Sequence, residues 1–197
     1  MDFEFVAGNL ALDFANTVHS YGEPDPEDDL KTYADLVAWA RQAGFVLGPE
    51  RQGMTQWQAS PAAAAVVFRK FVQLRAVVYE IFAEVAARHS PRVEEISALE
   101  EYFRDAAAQL VLEKSGRHYE LAWQASTPAL ERVRGDIARA AVDLLTSADL
   151  HRVRQCAGEN CTWLFVDTSR NGTRRWCDMQ ACGNRAKVQR FRQRSRA

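Results

Sequence analysis

CAGENCTWLFVDTSRNGTRRWCDMQAC, residues 156–182, contains all four cysteines of this 197-residue chain. Cys156, Cys161, Cys177 and Cys182 form two pairs of identical internal spacing, C-x4-C and C-x4-C, with fifteen residues between the pairs. Two paired-thiol turns are what a tetrahedral zinc site requires, because each turn brings two soft ligands to one point. The spacer, Thr162–Trp176, alternates apolar residues and carries Asn171-Gly172, a two-residue turn signal. It therefore predicts a β-hairpin within the spacer, and the segment after Cys182 predicts a helix. Knuckle, hairpin and helix in that order predict a treble-clef-like finger. Four cysteines close the coordination sphere, so one structural Zn²⁺ is expected, with no open position for substrate or activated water.

Two other uses of four cysteines compete with this. Paired disulfides, Cys156–Cys161 and Cys177–Cys182, suit secreted chains, but the start MDFEFVAGN lacks the basic and apolar regions of a signal peptide. An iron–sulfur cluster also takes four thiolates, although hairpin-separated knuckles suit zinc better. No strictly apolar run approaches the length needed to cross a bilayer. A cytoplasmic protein with no membrane partner is expected.

Charge divides the chain at the same place. Residues 151–197 hold eleven Arg and Lys against three acids, leaving fourteen of the 25 basic and 23 of the 26 acidic residues to the first 150. A basic tail on an acidic body points to an anionic partner such as nucleic acid. Zinc with four thiolates carries −2, which lowers the tail's excess to about +6. On a helical wheel for 184–196, Asn184, Val188, Phe191 and Ser195 share one face, predicted to dock on the hairpin. Lys187, Arg190 and Arg194 form one cationic rail beside it, and Arg185, Arg192 and Arg196 form another. Ala186, Gln189 and Gln193 lie between the rails, facing outward. Such a helix could hold phosphates on both sides of a major groove, with the glutamines pairing to adenine. Arg174 and Arg175, on the predicted second strand, are further candidate nucleic-acid contacts, and should point one inward and one outward. Arg185 is the cation most suited to supporting the zinc site instead.

The first 149 residues predict a helical domain. GNLALDFANTV, residues 8–18, places Leu10, Phe14 and Val18 on one face of a helix. Thr32 with Asp35 predicts a capping box for a helix that stops at Gly44. Ser60-Pro61 opens a long helix to about 89, apolar around most of its circumference and so central to a bundle. Ser90-Pro91 opens the next, near 92–108, and Thr127-Pro128 the last, to about Ser147. Between them QLVLEKSGRHYELAW, residues 109–123, alternates about Ser115-Gly116 and predicts a β-hairpin. The fold class is then mainly α (α+β): a helical domain with a hairpin over 1–149, and the finger with its basic helix over 150–197. Trp39, Trp57 and Trp123 are expected to be core or packing aromatics.

WLFVDTSRNGTRRWCDMQACGNRAK resembles the CGNR zinc-finger family, whose signature tetrapeptide stands here as Cys182-Gly183-Asn184-Arg185. FVAGNLALDFANTV resembles the opening of the ABATE domain, which precedes the finger in that family. Together the two resemblances cover nearly the whole chain. They imply a bacterial transcription regulator responsive to stress, with the four cysteines as zinc ligands.

The function expected from all of this is a DNA-binding regulator. Its basic helix would meet duplex DNA, and its body would sense a ligand or mediate assembly. Asn9, Asp13, Asn16 and Thr17, on or near one polar face of the first helix, are the candidate ligand contacts; the simpler reading is a capped, solvated face. The competing function is a zinc-stabilised module that binds protein or RNA without reading DNA. A nuclease of the His-Asn-His kind needs a histidine near the finger, and none follows His151. His19, His89, His118 and His151 show no ligand or triad spacing, and no phosphate loop, dinucleotide fingerprint or nucleophile elbow is present, so no enzyme is expected. A homodimer and a small-molecule effector are left open.

Overall fold

The computed structural model describes residues 2–45 and 60–194; Trp57, Ser195 and Arg196 lie outside them. The chain folds as mainly helix with two small antiparallel sheets. Helix α1, Leu10–Ala15, is capped by the Asn9 side chain, which accepts from the Ala11 and Leu12 amides. It is shorter than the predicted 8–18 helix. Asn16 turns away to a distant strand, the Thr17 hydroxyl bonds back to the Phe14 carbonyl, and Val18 bridges to Asp28. Those three side-chain and backbone contacts outcompete another helical turn.

Helix α2, Tyr33–Gln42, has the predicted capping box between Thr32 and Asp35. Gly44, at φ +88°, closes it: the Gly44 amide bonds to Arg41 and the Phe45 amide to Ala40, the paired bonds of a Schellman stop. Helix α3, Pro61–Ala86, begins at the proline and buries Val67, Phe71, Leu74, Val78, Ile81 and Phe82. It touches α1 and α2, helix α4 (Val93–Ala107) and the second sheet, the central position its composition predicts. Helix α4 packs along α5, Ala129–Thr146. Between these two, β1 (Leu110–Ser115) and β2 (His118–Trp123) form the expected hairpin, with Ser115 opposite His118 and Gly116 in the turn at φ +61°.

After a 3-10 turn at Ala148–Arg152, β3 (Val153–Gln155) pairs with β4 (Leu164–Val166). This corrects the spacer reading. The hairpin is closed by the first knuckle, residues 156–163, and not by Asn171-Gly172. The Asn-Gly turn forms, with Gly172 at φ +62°, but residues 173–176 make no strand. Their backbone is used elsewhere: the Arg174 amide bonds to Asp167, the Arg175 carbonyl accepts from Ala157, and the Cys177 amide bonds to the Cys156 sulfur. Asp167 is fully buried at the centre of that loop, accepting also from the Ser169 amide and hydroxyl. Burial alone would push its carboxyl up, but these bonds outweigh it and hold the group below the usual carboxylate range.

One apolar core runs through everything. It contains Phe14, Trp39 and Phe71 of the body together with Trp163, Leu164, Phe165, Val166 and the sulfurs of Cys156, Cys177 and Cys182. Strand β4 lies against α1 and α3. The acidic body and the basic tail thus differ in charge but share their interior.

Candidate metal centre and nucleic-acid interface

Each cysteine is placed by a different local device. Cys156 follows β3 directly, and Cys161 ends the knuckle. Gly158 between them leaves room that no other residue could: a Cβ there would stand 3.1 Å from the Cys182 sulfur and 3.2 Å from the Cys161 Cβ. Cys177 leaves the Asp167 loop. Cys182 sits in a widened turn, Met179–Gly183, started by Asp178, whose carboxylate accepts from the Ala181 amide at 2.7 Å.

The four Sγ atoms lie within 4.8 Å of one another, with Cys161–Cys177 and Cys177–Cys182 both at 3.7 Å. A tetrahedral zinc with bonds near 2.3 Å spaces its sulfurs by about 3.8 Å. The separations are far too long for disulfides, and all four cysteines are free. Cys156 also accepts from the backbone amides of Gly158 (3.4 Å) and Cys177 (3.3 Å), donors that favour a thiolate. Its thiol is pushed down to about 2, chiefly by the hydrogen bond from Cys161 and then by that from Cys177. Cys161 is pushed up to about 12 by the same bond to Cys156, and Cys177 is also pushed up. Thiols this close cannot ionise together until a cation is shared among them. The donor set and its spacing fit zinc.

The second cysteine pair leads directly into helix α6, Asn184–Arg194, which contains five Arg and Lys and no acid. The predicted wheel is rolled by roughly one residue step, about 100°. Val188 and Phe191 are 49% and 72% exposed, so this face does not dock on the hairpin. The helix turns Arg185, Gln189 and Arg192 towards the first knuckle, across a groove of about 650 Å³. The Gln189 amide donates to Glu159 on the far wall. Lys187, Gln193 and Arg194 are exposed, and Arg190 belongs to the same helix. The rail carrying Lys187 and Arg194 thus lies opposite the knuckle-facing side.

Arg174 and Arg175 divide as one inward and one outward. The Arg174 guanidinium donates to the carbonyls of Val6, Trp176 and Cys177 and lies 4.4 Å from the Phe165 ring centre. It ties the second cysteine pair to the amino-terminal segment, so it is no longer a candidate phosphate contact. Arg175 is exposed, 5.3 Å from the Trp176 ring.

The proposed ligand contacts of the first helix are also taken up internally. Asn9 caps α1 and donates to the Ala140 carbonyl at 3.2 Å. Asp13 is buried, accepts from the Ala7 amide at 2.9 Å, and is raised by burial to about 6. Thr17 accepts from Arg75, which is held by Asp28. Asn16 makes the longest reach. Its amide donates to the Leu164 carbonyl at 2.9 Å and accepts from the Leu164 amide at 2.8 Å, so it occupies the edge of β4 as a neighbouring strand would. Asn16 thus ties the first helix to the finger, while Asn9, Asp13 and Thr17 spend their hydrogen bonds within the body. Alternation of small polar and apolar residues signals caps and buried polar groups, but nothing local reveals a partner 148 residues away.

Residues 8–148 match the family model ABATE, described as "Putative stress-induced transcription regulator". The chain belongs to the ABATE family. Residues 152–195 match the CGNR zinc finger, so the sulfur cluster of this ABATE protein holds a structural zinc ion. No curated protein matches the chain. No described helix is long and apolar enough to cross a membrane.

Proposed function

We propose that this ABATE protein is a transcription regulator that binds duplex DNA through α6. The observation that carries the proposal is an acid-free, cation-rich helix emerging directly from the zinc-held turn, with Lys187, Arg192, Gln193 and Arg194 exposed. The zinc supplies no chemistry at the partner; it fixes the angle at which the helix leaves the finger. Lys187, Arg190 and Arg194 contact phosphates, Arg175 and Arg192 extend the cationic surface, and Gln193 meets base edges. Gln189 reaches bases only if it leaves Glu159. The body receives the signal and transmits it through the shared core.

A specific observation supports a second reading, a module that binds protein. Val188 and Phe191 are exposed beside the cations, and an apolar stripe of that kind suits a partner helix. Salt dependence separates the two. Replacing Lys187, Arg190 and Arg194 by alanine should weaken binding to all duplexes alike and flatten the log–log salt slope by about 0.9 for each phosphate no longer neutralised. Gln193→Ala should leave that slope in place and narrow the gap between best and random sites by about 1–3 kcal/mol. Absence of duplex binding at low salt, with zinc in place, would favour the protein-binding reading.

A further inference from the structure

A cavity of about 330 Å³ lies where the body meets the finger, within the size range of small-ligand sites. Its body wall is His19, Ser20 and Glu27; its finger wall is Asn160, Trp163, Arg185 and the zinc ligand Cys161. The walls are joined at one edge by the Ser20 hydroxyl, which donates to the Asn160 carbonyl at 2.7 Å, and by the Tyr21 amide, which donates to Thr162 at 2.8 Å.

Several features distinguish this space from a gap left by imperfect docking. Ser20 and Asn160, the two residues that meet across it, both adopt left-handed backbone, at φ +54° and +59°. Asparagine adopts that conformation readily in turns, whereas for Ser20 it is uncommon, and uncommon backbone of this kind gathers at binding sites. His19 is doubly fixed. Its Nε2 is 3.0 Å from Asp29, and its ring lies 5.0 Å from that of Trp163. The two full charges on the walls are opposite, one from each side of the junction. Among the described residues neither the Glu27 carboxylate nor the Arg185 guanidinium has a hydrogen-bond or ion-pair partner.

An exposed cation and an exposed anion, neither paired within the described residues and one on each wall of the cavity, are complementary to a small molecule carrying both charges. We propose that the junction cavity binds a free amino acid or a zwitterion of similar size, its carboxylate on Arg185 and its ammonium on Glu27. Ser20 and His19 stand beside these charges as further polar contacts. Arg185 also lines the groove between the knuckle and α6, so a ligand that holds it in the junction removes it from the groove. That consequence for DNA rests on the function proposed above; the binding site itself does not.

The test is calorimetric titration of full-length, zinc-loaded protein with each proteinogenic amino acid in turn, and with acetate and ethylammonium as single-charge probes. At least one amino acid should saturate with a Kd below about 1 mM, and acetate and ethylammonium should each bind at least about tenfold more weakly. Glu27→Gln, on an exposed loop of the body, should weaken the amino acid by about tenfold or more, as should Arg185→Gln. Zinc content is measured on both variants; if Arg185→Gln sheds metal, Glu27→Gln decides alone. The proposal is overturned if no amino acid binds at about 10 mM, if Glu27→Gln binds as the parent does, or if acetate alone binds as tightly as the best amino acid. Because the titration contains no DNA, its failure is separate from a failure of duplex binding.

Discussion

The β1–β2 hairpin closes on a turn at Gly116 and Arg117, whereas β3 and β4 are joined by a knuckle that holds two metal ligands. The first sheet stands largely in solvent: Leu112, Tyr119 and Leu121 are 70%, 67% and 57% exposed. In the second, Leu164 and Phe165 are fully buried. Two strands alone bury too little to be stable in water, so each sheet borrows its stability from elsewhere. The exposed one seats Trp123, at the end of β2, against Gly135 of α5. The buried one is held on three sides, by zinc, by Asn16 along the edge of β4, and by the amino-terminal segment, where the Val166 amide bonds to the Ala7 carbonyl. A hairpin made by its own turn can hang from the fold, while one made by tertiary contacts becomes part of its centre.

The largest effect should come from removing the metal. Cys177→Ser leaves three thiolates and a weaker site. Zinc loss then frees the knuckle that closes β3–β4, and with it Trp163, Leu164 and Phe165 lose their place in the common core. A cost of about 3–5 kcal/mol is expected, as for other losses of a structural metal, and it should reach the body. Helical circular dichroism and zinc content are followed together during thermal unfolding. If the helices melt as in the parent while the metal is gone, the finger is a separable module and the contrast between the two sheets fails.

How far this contrast was legible beforehand differs between the two sheets. Ser115-Gly116, flanked by alternating residues, is a local signal, and the strands pair as it directs. The zinc ligands were equally legible, because their spacing is a property of the sequence itself. The register of β3–β4 was not. Asn171-Gly172 is just as good a local signal, and it does make a turn, yet the flanking backbone is claimed by Asp167, Ala157 and Cys156. The same failure explains the first helix and the wheel of α6. Asn16 stops α1 because a strand far along the chain needs its amide. Val188 and Phe191 look like a docking face, but the zinc-held turn sets the direction of the helix before side-chain packing can. Long-range partners were the missing information in each case.

Asn16 sharpens the comparison without touching the metal. Asn16→Ala leaves the buried Leu164 amide and carbonyl without their partners. At about 1–3 kcal/mol for each buried unsatisfied group, partly offset by relaxation, the variant should lose about 2–4 kcal/mol. Denaturant unfolding measures this, and zinc affinity should fall in parallel because β4 carries the chain from one cysteine pair to the other. Asn16→Asp keeps the acceptor, removes the donor and adds a charge, so it should be no better tolerated. An Asn16→Ala protein with unchanged midpoint and unchanged metal affinity would show that β4 needs no partner along that edge.

The smallest effect tests the other sheet. Gly135 lies inside α5, where glycine costs about 1 kcal/mol relative to alanine, so a helix-propensity view predicts that Gly135→Ala stabilises. Its position says otherwise. A Cβ there would stand 2.3 Å from Cη2 of Trp123 and 2.9 Å from the Cβ of Ala106. The Trp123 ring cannot simply slide away, since its indole nitrogen donates to Asp136 at 3.3 Å and the strand behind it is paired to Leu110. Overpacking of this kind costs about 1–3 kcal/mol, which exceeds or cancels the helix gain and leaves a net loss of about 1 kcal/mol. The loss should be local. Amides of β1–β2 should exchange faster by hydrogen–deuterium exchange, while those of β3–β4 and the zinc content stay as in the parent. A Gly135→Ala protein that is more stable, with an equally protected hairpin, would mean that Trp123 does not anchor the exposed sheet.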